Sequence, residues 1–524
     1  MSKCMALSAA MLSSVLIAGA ARAQAPAFDI DGYAFEGAKV LGETRLQALV
    51  APFAGKQRSM EDVTRAAAAV KAAYVEAGYP IVQVYAPEQT VSGGTVLLRV
   101  TEAKLAKVEV AGAKVYGAAN IRASLLPLQE GEAPNTAALV AALLLANDNP
   151  AKQVAVNFEA GDSADEVRAR VKVEEDRVSR FGVMLDNAGT EATGRERIGL
   201  SYQHANLFGL DHVLSVQLIT SVEKPDKAAS ITAGYRIPFY RLGLTLDLVA
   251  AYSDNKSNAV SPAGPLFFSG KGVYAGARLN QALPSRGDYR HKLIYGIDYK
   301  DFNNSCSIAG IELDSCGTIT DVPVSISYLG QLAKPGYQAG AGISYFRNIP
   351  GGRHGQAERY GERPRSWQAL RGSAYFNLPL GDWQWRTTLN GQAASDALIP
   401  SEQFGAGGAA SVRGYDERTT AGDRGLSANV ELYTPELGAL LKLSNRHSLR
   451  ALVFYDAAWV RNSDDAPLAA SHLASVGAGL RYAFDKSASL RCDAGAVRVA
   501  TPPGGSAART RNNGFVHVAF QYSF

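Results

Sequence analysis

The sequence predicts an α+β N-terminal half followed by a closed antiparallel β-barrel of roughly 16 strands that spans a lipid membrane. Three observations predict it. Residues 1–23 have the build of an export signal. Residues 24–103 and 104–175 repeat one order of strands and helices. From 177 to 524 apolar and small or polar residues alternate with a period of two, segment after segment.

The export signal comes first in the chain. Lys3 is its basic start, Met5 to Ala20 is mostly apolar and small, and Ala21-Arg22-Ala23 has the small-x-small form that signal peptidase cuts. Cleavage is expected before Gln24, leaving Gln24-Ala25-Pro26 ahead of the first module and no room for a helix there. No later stretch approaches the ~18 apolar residues of a membrane-spanning helix. An exported chain of this kind either stays soluble or crosses a membrane as a closed barrel.

Composition agrees with a barrel. Charged residues are 19% of the chain, with 51 glycines and 23 tyrosines, which suits a β-rich protein with an apolar outer surface. The formal net charge of +4 is too small to argue for nucleic acid. Cys306 and Cys316 lie in a polar segment, and export to an oxidising space favours a disulfide between them. Cys492 sits in an alternating segment and is expected to be unpaired. No Cys/His cluster suggests a metal, and no motif suggests a cofactor.

The first module reads β-α-α-β-β over 28–103. Ala27 to Gly32 is a short strand, and Gly42 to Phe53 is a helix with Leu46, Leu49 and Val50 on one face. Ser59 caps the next helix, with Asp62 at the capping-box position. That helix carries Val63, Ala67, Val70 and Tyr74 at helical spacing. Two alternating segments, Ile81–Tyr85 and Thr95–Val100, form a hairpin around Ser92-Gly93-Gly94. The second module repeats this order from Ala106 to Glu175, with helices at Ala118–Leu125 and Thr136–Leu145 and a hairpin of Val154–Glu159 and Glu166–Val173. Repeats of about 70 residues with two helices on a three-stranded sheet resemble POTRA domains. Such a module has no evident nucleophile or base. It offers an open sheet edge that can take an extended chain by strand addition.

The second half is the barrel. Leu242, Leu244, Leu246 and Leu248 alternate, as do Leu293, Tyr295, Ile297 and Tyr299, and Val324, Ile326 and Tyr328. A soluble sandwich also alternates. The number of segments, the aromatics near their ends and a last segment ending on Phe520, Tyr522 and Phe524 favour a membrane barrel, whose terminal signal those three resemble. An even strand count keeps both barrel ends on the periplasmic side. Longer polar connections at 253–271, 303–321, 348–366 and 400–425 are expected outside.

One connection is unusual for an exposed loop. Residues 403–425 are apolar and glycine-rich, which suggests that the loop folds back into the lumen. Its Phe404, Gly407-Gly408, Ser411-Val412-Arg413-Gly414-Tyr415 and Gly422-Asp423-Arg424-Gly425 resemble the loop-six signature of the outer-membrane assembly and secretion proteins that join POTRA domains to a barrel. With two POTRA-like modules, the chain resembles the two-partner secretion transporters, the haemolysin-secretion family. That resemblance implies that Arg413 reaches into the lumen and pairs with a wall aspartate, Asp456, in Phe454-Tyr455-Asp456-Ala457-Ala458. Alternation agrees: Ala451, Val453, Tyr455 and Ala457 form an apolar face, so Arg450, Phe454 and Asp456 point inward. Arg450 is an alternative partner for the same carboxylate. Ala458 departs from the family's usual glycine. A second departure is the missing plug helix, so resting closure is expected to fall to the loop and the modules.

The function implied is secretion. An unfolded exported partner, expected to be β-helical, is captured at the POTRA edges and threaded through the lumen. The other partners implied are outer-membrane lipid and, during biogenesis, the barrel assembly machinery. No Gly-x4-Gly-Lys-Ser/Thr string is present, so folding of the cargo outside is expected to supply the drive. An assembly insertase of the same superfamily is the alternative, and a passive porin a weaker one. An enzyme is not expected, since the seven histidines are scattered and no triad or paired carboxylates stand out.

Overall fold

Alternation that buries one face and leaves the other apolar needs a closed sheet, because an open one would leave an unpaired edge. The computed structural model describes residues 27–524 except 92, 192, 227, 256–257, 262–263, 268–269, 304–306, 309–310, 313–317, 464–470 and 502–508. The export signal with its cleavage point, the Gln24-Ala25-Pro26 lead and expected absence of a helix there, the turn residue Ser92 and the Cys306–Cys316 disulfide therefore lie outside the described residues. The chain divides into two compact units. One comprises residues up to Lys104 with Gly131–Pro134 and Gly161–Val167, and the other the remainder.

In the first unit, strands β1 (Phe28–Ile30) and β2 (Gly32–Glu36) precede helix α1 (Glu43–Val50). Then come β3 (Gly55–Arg58), α2 (Met60–Glu76), β4 (Val82–Tyr85) and β5 (Thr95–Glu102). The expected first strand is thus two, and a further strand sits between the helices. Gly55 at φ +128° makes the turn into β3, and Asp29 Oδ1 accepts the Gln57 N–H at 2.9 Å, so β1 and β3 pair apart from the main sheet. That sheet has the order β2-β5-β4, with β2 and β5 parallel. The α2 start is capped as expected, the Ser59 N–H donating to Asp62 Oδ2 at 2.9 Å. Leu46, Val63, Val70, Tyr74, Val96 and Leu98 fill the core.

Most of the second module belongs to the other unit. Strand β6 (Lys104–Ala111), helices α3 (Ala118–Ser124) and α4 (Thr136–Ala146), and strands β7 (Lys152–Ala160) and β8 (Glu166–Glu175) follow in order. The sheet order is β6-β8-β7, again with the last strand central. Asn135 caps α4 by accepting the Ala138 N–H.

The barrel has sixteen strands, with one interrupted. They are β9 (Ser179–Asp186), β10 (Arg197–Leu207), β11 (His212–Ser221), β12 (Ala229–Phe239), β13 (Leu244–Asn255) and β14 (Gly270–Ala282). Next come β15 (Tyr289–Asn303), β16 (Thr318–Asp321 and Pro323–Lys334), β17 (Tyr337–Asn348), β18 (Gln368–Leu380) and β19 (Trp383–Ala394). The last five are β20 (Arg424–Tyr433), β21 (His447–Arg461), β22 (His472–Phe484), β23 (Ala488–Val497) and β24 (Gly514–Ser523). Each pairs antiparallel with its sequence neighbours, and β24 pairs with β9 to close the ring. Leu242 falls before its expected strand, in a short 3-10 turn ended by Gly243 in the left-handed region.

The connections after β9, β11, β13, β15, β17, β19, β21 and β23, which include all four expected ones, lie at one end of the barrel, and the remaining connections, short except for 434–446, lie at the other with the start of β9 and the end of β24. The outer wall is apolar: Val453 is 56% and Tyr455 50% exposed, and Val516, Val518, Phe520, Tyr522 and Phe524 also face outward. Phe454, Asp456, Asp493 and His517 face inward and are buried. Phe524 pairs through its backbone with Phe181, and their rings stack at 5.9 Å.

Candidate functional site

The 403–425 loop runs inside the barrel wall. Its short strands Phe404–Ala406 and Thr420–Gly422 pair with each other. Between them the chain turns at Gly407 (φ +107°) and Gly408 (φ +101°), where a side chain would meet the Asp416 carbonyl or the Glu417 carboxylate. Val412 and Tyr415 are fully buried among Ala406, Ala458, Val460, Leu473 and Val497. Such burial stabilises the seated loop by about 1.5–3 kcal/mol per large side chain. The Tyr415 hydroxyl reaches the carbonyls of Val499 at 2.7 Å and Ala474 at 3.0 Å.

Arg413 projects from this seat into the wall and is 1% exposed. Its Nε and Nη2 donate to the two oxygens of Asp456 at 2.7 and 2.8 Å, a bidentate fork. The Arg413 backbone N–H adds a third bond to Asp456 at 3.1 Å. Nη1 donates to Glu431 at 2.7 Å and to Asp493 at 3.3 Å. The Phe454 ring lies 3.5 Å from the guanidinium carbon. Each of these partners comes from an inward position: Glu431 on β20, Phe454 and Asp456 on β21, and Asp493 on β23.

Two more cations complete the knot. Arg481 and Arg491 each donate to Asp493 at 3.0 Å. Three guanidinium groups thus face three carboxylates, so the lumen holds a neutral cluster rather than stranded charge. Asn429 donates to Asp456 at 2.8 Å and also to the Ser411 carbonyl. His517 Nε2 accepts the Gly414 N–H at 3.2 Å.

Gly414 (φ +92°) and Gly495 on β23 let the two backbones touch. A Cβ on Gly414 would lie 2.9 Å from the Gly495 carbonyl oxygen, and one on Gly495 would lie 2.7 Å from the Gly414 nitrogen.

Of the residues singled out in the sequence, Gly407, Gly408, Val412, Arg413, Gly414, Tyr415, Phe454 and Asp456 come together here. Asp423 does not join Arg413. It pins the loop's base, accepting the N–H groups of Leu398 at 2.9 Å and Ser463 at 2.7 Å. Arg450, the alternative partner for Asp456, instead approaches Glu436 at 3.7 Å. Ala458 is buried against the loop's apolar cluster. Phe520, Tyr522 and Phe524 lie away from the knot, on the lipid face. Cys492 is a free thiol.

Glu431, Asp493, Gly495 and His517 were not singled out from sequence. The signal for Asp493 was available in the dyad: Cys492 and Ala494 are in outward phase, which puts Arg491, Asp493 and Gly495 inside.

A second buried ion pair joins the second module to the barrel's short-turn end. Lys152 Nζ donates to Asp211 at 2.6 Å, with both side chains fully buried. Tyr240 donates to the same carboxylate at 2.7 Å, and Asn149 donates to the Ala205 carbonyl at 2.6 Å. Burial lowers the Lys152 ammonium from its ordinary pKa, with Asp211 opposing that shift.

Similar proteins are found by sequence and by fold. Residues 165–482 match the family described as haemolysin secretion/activation protein ShlB/FhaC/HecB, and residues 28–103 match the ShlB-type POTRA domain. The outer membrane transporter CdiB of Dickeya dadantii is 24% identical over 417 residues, 78% of this chain and 73% of that protein. Among solved structures, CdiB from Escherichia coli superposes with a TM-score of 0.78 at 21% identity, covering 96% of this chain and 92% of that one. CdiB from Acinetobacter baumannii gives 0.73 at 16% identity, with 96% and 91% covered.

Proposed function

The chain belongs to the haemolysin secretion/activation protein family ShlB/FhaC/HecB and is a two-partner secretion transporter of the outer membrane, with its POTRA domains in the periplasm; from that premise we propose how it moves its partner. The partner arrives unfolded in the periplasm and adds as a strand to an open sheet edge of the N-terminal modules. In the first module the edge strand β4 is such a place, with Val82–Tyr85 paired on one side only. The partner then passes through the barrel lumen to the outside, where folding prevents its return. Its fold outside is expected to be β-helical. The barrel itself enters the membrane by way of the assembly machinery, which reads the terminal Phe520, Tyr522 and Phe524.

The observation that carries this reading is the position of Arg413. The element that occupies the lumen is a loop tied to the wall by side chains, not a strand of the wall, so it can be displaced without opening the barrel's ladder. The tie at Asp456 holds the loop in register for the next round.

Arg413→Ala is the test. The variant is expected to insert with normal heat-modifiable mobility and to secrete its partner poorly. Normal release of the partner by that variant would count against the reading. Val84→Pro in β4, whose N–H faces the open edge because the inward-bonded pairs are 81↔103 and 83↔101, separates capture from passage: it is expected to weaken partner binding by full-length protein while leaving the barrel's mobility unchanged.

A further inference from the structure

The barrel closes where its last strand meets its first. The ladder between β24 and β9 spans five residue pairs, from Ala519↔Asp186 to Ser523↔Gly182, with Phe181 and Phe524 exchanging two further backbone bonds at its inner end. Neighbouring strands elsewhere pair over eight or more, for example eight between β9 and β10 and thirteen between β21 and β22. Beyond Asp186 the seam has one more backbone bond, from the Asn187 N–H to the Val518 carbonyl at 3.2 Å, and is otherwise held by side chains. The Asn187 amide imitates a ladder rung, donating to the Val516 carbonyl at 2.7 Å and accepting the Val518 N–H at 2.8 Å.

Farther out, one carboxylate of the lumenal loop grips both edges. Asp416 lies three residues after Arg413. Its Oδ1 accepts from Arg195 at 3.2 Å, in the connection that follows β9. Both its oxygens accept from Arg509 Nη2, at 3.0 and 2.9 Å, in the connection that precedes β24. The Asp416 side chain is only 12% exposed. Each guanidinium lies 5.4 Å from the Phe515 ring, at the start of β24.

Without Asp416 this cluster would be two like charges on opposite edges of a short seam, and they repel. With Asp416 between them their approach is favourable. We propose that Asp416 is a positioning residue that couples the loop to the seam: a seated loop holds the seam's outer end shut, and a loop that leaves the lumen withdraws the carboxylate and lets the two edges part. Widening of the barrel mouth and clearing of the lumen are then one event. The inference rests on the proposed function only in requiring that the loop moves.

The test uses full-length protein in lipid nanodiscs, with Cys306, Cys316 and Cys492 replaced by serine. Spin labels are placed at Glu191 and Asn513, one on each side of the seam, and a second pair at Ala410 and Glu191 follows the loop. Distances are read by double electron–electron resonance.

Asp416→Asn is expected to raise the population of the longer seam distance on the order of ten-fold, the scale of losing one partly shielded ion pair from a two-state equilibrium. Asp416→Glu is expected to restore the short distance, which a generally disturbed loop would not do. Arg509→Gln, which frees one edge only, is expected to broaden the seam even if Asp416→Asn fails to assemble.

Arg413→Ala is expected to shift both label pairs together. Movement of the loop pair with an unchanged seam pair would overturn the coupling while leaving the transport reading intact. A seam that widens in Arg413→Ala while secretion stays normal would support the coupling and count against the transport reading.

Discussion

Two buried ion pairs hold the barrel unit's parts in place, and they are built in opposite ways. At the periplasmic end, Lys152 and Asp211 meet as one cation and one anion, both fully buried. Lysine is a point charge. Lys152 and Tyr240 share one oxygen of Asp211, Oδ2, while Oδ1 has no hydrogen-bond partner among the described residues even with the lysine in place, so if Lys152 leaves only the Tyr240 hydroxyl remains. In the lumen, Arg413 spreads a planar fork over three carboxylates. If it leaves, Asp493 keeps Arg481 and Arg491, Asp456 keeps Asn429, and Glu431 keeps the Tyr433 hydroxyl. The first arrangement suits a permanent fastener. The second suits a catch: when the loop departs, Asp493 keeps two cations, and Asp456 and Glu431 each keep one neutral donor.

The sharpest way to break this comparison is to remove one cation from each. Lys152→Met strands a buried carboxylate and is expected to cost about 3–5 kcal/mol. Limited proteolysis should then cut within 105–175, and Lys152→Met combined with Asp211→Leu should recover most of the loss. Arg413→Ala is expected to cost less, about 1–3 kcal/mol, by urea titration of the folded band on unheated gels. Equal losses in the two single variants would erase the distinction drawn here.

A finer probe acts on the contact between loop and wall. Gly495→Ala places a methyl group against the Gly414 nitrogen and the Arg413 carbonyl carbon, both closer than 3 Å. Overpacking of this kind costs about 1–3 kcal/mol, and here it falls on the seated state of the loop alone. Raised single-channel conductance in planar bilayers, without loss of barrel stability, is the expected result. The smallest effect is expected from Tyr415→Phe, which removes hydroxyl bonds to Val499 and Ala474 worth about 1 kcal/mol. It should raise the frequency of brief openings without changing their size.

The same comparison explains what could be read from the sequence. Arg413 stands among glycines in an apolar loop, and Asp456 stands in inward phase between Tyr455 and Ala457, so both ends of their bond carry a local signal. The barrel announced itself through phase as well, since a period of two assigns every residue to lipid or lumen. Glu431 and Asp493 obey that phase, yet their meeting depends on how strands β20 to β23 curve around the loop, and curvature has no counterpart in a single strand's text. Lys152–Asp211 carried still less signal. Lys152 begins an ordinary alternating strand, and Asp211 closes a tight turn at φ +63°, which reads as a solvated turn residue. In the first module the expected strand Ala27–Gly32 covers β1 but reaches only the first residue of β2, and β3 was missed because it is short and pairs outside the main sheet, where periodicity has too few residues to act.

The central claim, that the partner passes through the lumen beside the displaced loop, is tested most directly by cross-linking. A photoreactive side chain placed at Ala410, an exposed loop residue, should form an adduct with a partner stalled during secretion and none with a partner already released. Efficient secretion with no adduct from Ala410 at any stage of transit would contradict the account.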